Sequence, residues 1–144
     1  MEMRDLFTNT SLECSKLITQ RYSTSFTLGI KTLHKRFHLP VYGIYGFVRF
    51  ADEIVDTFHD FDKRELLASF KSDTYKAIQD GLSFNPVLQS FQVVVNEYGI
   101  QHDHIEAFLY SMELDLDDQV YDQSLYEKYI YGSAEVVGLM CLRV

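Results

Sequence analysis

Tyr42-Gly43-Ile44-Tyr45-Gly46-Phe47-Val48-Arg49-Phe50-Ala51-Asp52-Glu53-Ile54-Val55-Asp56 repeats its apolar and polar residues with the period of an α-helix. At about 3.6 residues per turn, each residue advances about 100° around the axis. Tyr42, Tyr45, Arg49, Asp52 and Asp56 then share a stripe about 80° wide. Ile44, Phe47, Val48, Ala51, Ile54, Val55 and Phe58 gather on the opposite side. Such a helix buries one face and turns the other toward solvent or a ligand.

Outward from this segment the chain reads as all helical. Only two prolines and seven glycines interrupt 144 residues, which favours long helices over many short strands. The pattern predicts helices at about 10–21, 26–32, 40–59, 62–80, 86–98, 102–116 and 124–144. Pro40 and Pro86 suit first-turn positions. Asn85-Pro86 and the Gly99 region read as turns. Asp62, with Glu65 three residues on, suits a capping box, and Ser124 suits an N-cap. With no repeat, low-complexity stretch or flexible linker, residues 1–144 read as part of one helical domain.

Composition narrows the function. A formal charge of -8 argues against a nucleic-acid surface. Cys14 and Cys141 stand far apart and form no metal or disulfide pattern, which points to a reducing, cytoplasmic setting. The N-terminus lacks the layout of a signal peptide. No apolar run reaches the roughly 20 residues of a membrane span. Peripheral membrane association needs no span and stays open.

Asp52 and Asp56 lie one helical turn apart, about 6 Å along the axis. Carboxylates at that spacing can share Mg2+ whose other positions go to diphosphate oxygens and water. Arg49 on the same stripe could hold a further oxygen through its planar fork. An Asp pair at i and i+4 marks a solvated face as readily, and the like charges cost an isolated helix a few tenths of a kcal/mol. The pair is suggestive only.

Two further segments extend the pattern. Tyr22-Ser23-Thr24-Ser25-Phe26 precedes the aspartate helix, and Tyr129-Ile130-Tyr131-Gly132-Ser133-Ala134-Glu135-Val136-Val137-Gly138 follows it. Together with the run from Tyr45 through Arg49 to Asp56, they resemble in order and spacing three motifs of the phytoene/squalene synthases: S-x-S-F, D-x-x-x-D preceded by Arg, and Y-x-Y-G-x-A-G-x-V-G. The resemblance runs from about residue 10 to the end. Glu135 departs from it, standing where the family pattern has Gly.

The resemblance implies an all-α, isoprenoid-synthase helical fold, of which residues 1–144 form the N-terminal part. It implies Mg2+ held by Asp52 and Asp56, with Arg49 and Tyr45 positioning diphosphate. Ser23 and Ser25 would lie at the mouth of the site and Phe26 at the border of an apolar channel. Tyr129, Ser133 and Gly138 would line that channel. Taken without the resemblance, these same residues read as helix caps, core and close helix packing. The implied reaction joins two prenyl diphosphates head to head, geranylgeranyl diphosphate to phytoene being favoured over squalene or dehydrosqualene formation. A noncatalytic helical binding module is the rival reading.

Other motifs carry less. Asp115-Leu116-Asp117-Asp118 spells D-x-D-D, the proton-donating motif of larger, aromatic-rich cyclases, yet this chain has no Trp. Met112-Glu113-Leu114-Asp115 fits the family's M-x-x-D stretch better. His34, His38, His59, His102 and His104 are scattered and receive no chemistry. The family's second aspartate motif should follow Gly138, and the apolar segment Gly138–Val144 stops before it. A half-domain of this kind would expose apolar helix faces and favour self-association. Incubated with Mg2+ and farnesyl or geranylgeranyl diphosphate, the 144-residue chain is expected to form no head-to-head product, as lipid extraction and chromatography would check.

Overall fold

The computed structural model describes residues 2–116 and 122–144, and among them there is no strand. The helices are α1 Met3–Tyr22, α2 Thr24–Lys31, α3 His38–Asp56, α4 Lys63–Asp80, α5 Pro86–Tyr98, α6 His102–Asp115, α7 Gln123–Ile130 and α8 Val136–Leu142. A 3-10 turn, Lys35–Phe37, precedes α3, and a π-helical turn, Tyr131–Glu135, joins α7 to α8. Asp117 and Asp118 of the D-x-D-D stretch lie outside the described residues.

Local chemistry accounts for the boundaries. Ser23 caps α2 by accepting from the Phe26 N–H, and Asp62 caps α4 by accepting from that of Glu65. Asn85 accepts from Val87 and Leu88 ahead of α5, whose first residue is Pro86. Left-handed Gly81 and Gly99 end α4 and α5. α7 is capped by Asp122, not Ser124: its carboxylate accepts from the Leu125 N–H at 2.7 Å.

α3 runs through the centre, touching α1, α2, α4, α5, α6 and α8. Its apolar face enters the core at Phe47. That ring lies flat on Phe91 of α5, with centroids 3.9 Å apart and planes 3° from parallel. Phe70 of α4 and Phe108 of α6 close around it at 5.4 and 5.6 Å. Ile44, Ala51 and Val55 extend this surface, whereas Phe58 lies past the end of α3 and is exposed. Tyr42, read as part of the polar stripe, is buried beside Ile30 and Val41 because α2 folds over it.

Behind Phe47, α1 crosses α3 at Gly46. A Cβ built there would stand 2.6 Å from Ser15 Oγ and 3.2 Å from the Ser15 Cα, so only glycine fits. Ser15 is itself tied to Ser90 of α5 by a buried 2.6 Å hydroxyl–hydroxyl hydrogen bond. Gly46→Ala should therefore destabilise the chain by about 2–3 kcal/mol through overpacking. At Gly29 nothing stands within 4 Å of an added Cβ, so Gly29→Ala should be neutral or gain up to about 1 kcal/mol of helix propensity. Urea midpoints of the two variants provide the check.

Candidate active site: an acidic cleft beside an apolar groove

Asp52 and Asp56 open into a cleft of about 630 Å³. Its other walls include His59, Lys63, Asp115, Tyr129 and Ser133. The segments that build it are far apart in sequence: the end of α3, the end of α6 and the α7–π turn. Asp115 accepts a 3.2 Å hydrogen bond from the Tyr129 hydroxyl. Lys63 Nζ donates to the Val55 carbonyl at 2.6 Å and bonds His59 Nδ1 at 2.9 Å, so it ties off the last turn of α3. Asp115 and His59 received no role from the sequence. Met112 and Asp115 of the M-x-x-D stretch both reach this cleft.

The electrostatics are unbalanced toward the anion. Burial pushes the Asp52 carboxyl up to about 6. Arg49 opposes that rise, and the charges of Asp56, Asp115 and Glu53 add to it. Asp115 is raised too, first by burial and then by Asp56, with the Tyr129 hydrogen bond pulling the other way. Carboxylates that disfavour one another's charge this way make a cation site once a divalent ion arrives.

A second concavity, an apolar groove of about 950 Å³, adjoins on the same elements. Val41 of α3 and Ala134, Val137, Gly138 and Cys141 line one side, and Ser25, Phe26 and Ile30 line the other. No atom lies within 4 Å of a Cβ built on Gly138, so its small size leaves room in the groove and serves no helix contact. The Cys141 thiol is pushed up to about 11 by burial and acts as apolar wall. Ser23 lines the groove and spends its hydroxyl on the α2 cap.

Tyr45 and Arg49 line neither concavity. Sharing the stripe of α3 with the two aspartates thus does not bring their side chains into the cleft lining. Tyr45 stacks on Phe26 at 4.3 Å, which fastens α2 to α3. Arg49 Nη2 donates to Glu53 at 2.8 Å, Nη1 stands 3.7 Å from Asp52, and the guanidinium covers the Tyr22 ring at 4.7 Å. Thr57 donates to the other Glu53 oxygen, and these two bonds hold the Glu53 carboxyl below its usual range. The i, i+4 spacing of Arg49 and Glu53 was the available signal for this pair. Glu135, the departure from the motif, is exposed and reaches neither concavity.

The segment Tyr129–Gly138 is not one straight helix. The Val136 N–H reaches back to the Tyr131 carbonyl, the five-residue step of a π turn. Gly132 sits in this turn against α6, where an added Cβ would stand 2.3 Å from the Ala107 carbonyl oxygen. Tyr129 and Ser133 before and within the turn face the cleft, and Val137 and Gly138 after it face the groove.

Among the described residues no group of three or more His, Cys, Asp or Glu is drawn together tightly enough to hold a metal alone. The donor set nonetheless fits Mg2+, which takes one or two carboxylates and leaves its other positions to phosphate and water.

The squalene/phytoene synthase family model matches residues 19–144. The chain belongs to this family. A presqualene diphosphate synthase of Rhodopseudomonas palustris (strain ATCC BAA-98 / CGA009) is 24% identical over 123 residues, covering 84% of the chain and 44% of that protein. The crystal structure of a dehydrosqualene synthase in complex with ligand superposes with a TM-score of 0.81 at 23% identity, covering 94% of the chain and 47% of the other. The chain thus spans about half the length of these relatives, and the structural likeness supports the all-α fold.

The raised Asp52 pKa has a signed consequence. Its folded value, about 6, lies above the 3.8 of an ordinary Asp carboxyl, so its contribution favours folding below about pH 4 and is lost as pH rises through 6. With the side chain 34% exposed, solvent screening reduces the effect to the order of 1 kcal/mol. Asp52→Asn should stabilise the metal-free chain by about that amount at pH 7, a few degrees in Tm, and flatten its dependence between about pH 4 and 6. The same variant should lose Mg2+-induced stabilisation. Thermal unfolding across pH, with and without Mg2+, measures both.

Proposed function

We propose that this chain supplies the metal-binding first half of a catalytic domain that condenses two prenyl diphosphates head to head. One observation carries the reading: an acidic cleft and an apolar groove are both built on α3 and the Tyr129–Leu142 segment, meeting at the consecutive residues Ser133 and Ala134. A molecule with an anionic head and a long apolar tail needs both, side by side.

Asp52 and Asp56 would hold Mg2+, with Asp115 facing them across the cleft. The metal would supply the Lewis acidity that draws charge off a diphosphate leaving group. The C1–O bond of one substrate breaks and the diphosphate departs with the electron pair. The double bond of the second substrate then attacks the allylic cation, and a proton is lost as a cyclopropane ring closes. The groove offers the tail an apolar wall, and Phe26, held in place by its stack on Tyr45, would present an aromatic surface to positive charge there. Arg49 would reach diphosphate by leaving Glu53, an exchange of one carboxylate partner for another anion.

The tail length separates two products. Geranylgeranyl diphosphate would lead to phytoene; farnesyl diphosphate would lead to presqualene diphosphate and, after a second ionisation, to dehydrosqualene by proton loss or to squalene where a hydride donor is supplied. The names of the two relatives favour the shorter tail. A noncatalytic module would keep the groove without using the cleft.

Calorimetric titration of the chain with the non-ionising S-thiolodiphosphates of farnesol and geranylgeraniol discriminates these readings. Binding should require Mg2+, and Asp56→Asn should weaken it at least tenfold, about 1.4 kcal/mol, while helix content stays unchanged. The tighter-binding tail names the substrate. Equal binding with and without Mg2+, or equal binding of the free alcohols, would refute the enzymatic reading and favour the module.

A further inference from the structure

In a chain of net charge -8, no Asp or Glu occurs between Glu13 and Asp52. The same stretch carries Lys16, Arg21, Lys31, Lys35, Arg36 and Arg49, six of the thirteen Lys and Arg residues. The cations concentrate at the end of α2 and the turn after it, where Lys31 through Arg36 are all exposed. Apolar side chains stand out among them: Leu28 is 58% exposed and Leu33 45%. Leu28 and Lys31 are three apart on α2 and so share one face.

This turn is built rather than loose. His38 Nε2 bonds the Leu33 carbonyl at 2.9 Å, and His34 Nδ1 accepts from the Arg36 N–H at 3.2 Å. The Arg36 guanidinium lies over the Phe37 ring at 4.6 Å. Leu33 and Phe37 are also walls of the apolar groove, so the cationic face stands at the groove's edge.

We propose that the exposed face of segment 28–36, with Ile30 turned inward, is a docking face for an anionic lipid surface. Lysine and arginine draw the chain toward anionic headgroups, and Leu28 and Leu33 enter the boundary between headgroups and acyl chains. The overall negative charge makes orientation strict, because the acidic remainder is repelled by the same surface. No helix among the described residues is long and apolar enough to cross a membrane, and this mode of contact needs none. The docking face stands on charge and exposure alone. That it would hand a membrane-dissolved prenyl chain to the groove rests on the proposed function.

The test is sedimentation of the 144-residue chain with vesicles of phosphatidylcholine alone or mixed with phosphatidylglycerol. Binding is expected only to the mixed vesicles and should fall as salt rises. Each cation near such a surface contributes about fivefold to partitioning, so Lys31→Gln/Lys35→Gln/Arg36→Gln should lose roughly 100-fold. Arg4→Gln/Lys76→Gln/Lys128→Gln, which changes net charge equally at exposed positions elsewhere, should stay within about twofold. Leu28→Asn/Leu33→Asn should weaken binding while keeping its salt dependence. All six cationic positions are solvent-facing, and circular dichroism verifies that helix content is retained. No binding by the parent chain, equal binding to neutral vesicles, or an equal loss in both triple variants overturns the proposal. None of these results touches Mg2+-dependent binding of the thiolodiphosphates, so the two readings fail separately.

Discussion

The rotation of α3 about its own axis is the constraint on which the site depends. Phe47 sets it. With its ring flat against Phe91 and enclosed by Phe70 and Phe108, this side chain has no solvent exposure. Burying a Phe contributes roughly 2–3 kcal/mol, and well-placed aromatic pairs add about 1 kcal/mol more. Asp52 and Asp56 sit roughly 140° and 180° around the helix from Phe47, so holding one face inward holds the other in the cleft. Gly46 against Ser15 prevents the helix from sliding or rolling, since any side chain there would collide with α1.

Seen from the cleft, the same arrangement is costly. Asp52 is driven up by burial and by its acidic neighbours, and Asp115 is raised by burial and by Asp56. Arg49, the nearest cation on α3, is mostly committed to Glu53. The aromatic core therefore positions groups that would otherwise separate, and this is how a fold can hold a preorganised charge site. Lys63 helps by bonding the Val55 carbonyl, one of the last carbonyls of α3 without a helical partner.

Much of this was legible in the sequence because it depends on short-range periodicity. The two faces of α3 follow from 3.6-residue spacing, and the Asp62 and Asn85-Pro86 boundaries follow from cap chemistry that acts within four residues. What was missed depends on longer-range contacts. α1 begins at Met3, well before the expected residue 10, because an exposed polar turn leaves little periodic trace. Tyr42 leaves the polar stripe because α2, a separate element, lies over it. The π turn at Tyr131–Glu135 follows from Gly132 meeting the Ala107 carbonyl, a contact across 25 positions. Asp115 and His59 join the cleft from other segments; the M-x-x-D stretch marked Asp115 without giving it a role, and nothing in its own segment marks His59. The pairing of Arg49 with Glu53 follows from their i, i+4 spacing, which competes with the Arg49–Asp52 contact at i, i+3.

The charge of the cleft also orders the events of binding. A prenyl diphosphate is a multiply charged anion, and on an acidic protein it meets repulsion within about a Debye length, some 8 Å at physiological salt. Asp52, Asp56 and Asp115 would repel its head most strongly at the place where it must settle. Under the proposed function, the divalent ion thus acts before the chemistry, by converting a surface that rejects the head into one that accepts it. The apolar groove gives the tail no comparable barrier, because its walls are almost entirely uncharged. Tail entry and head capture therefore respond to different variables. The first follows apolar area and is nearly indifferent to salt; the second follows metal concentration and the protonation of the cleft carboxylates. Under the same proposed function, placing the two concavities on the same elements would couple them: a tail seated along Val41 and Gly138 would keep the head close to the segment that also walls the cleft, where the metal would capture it.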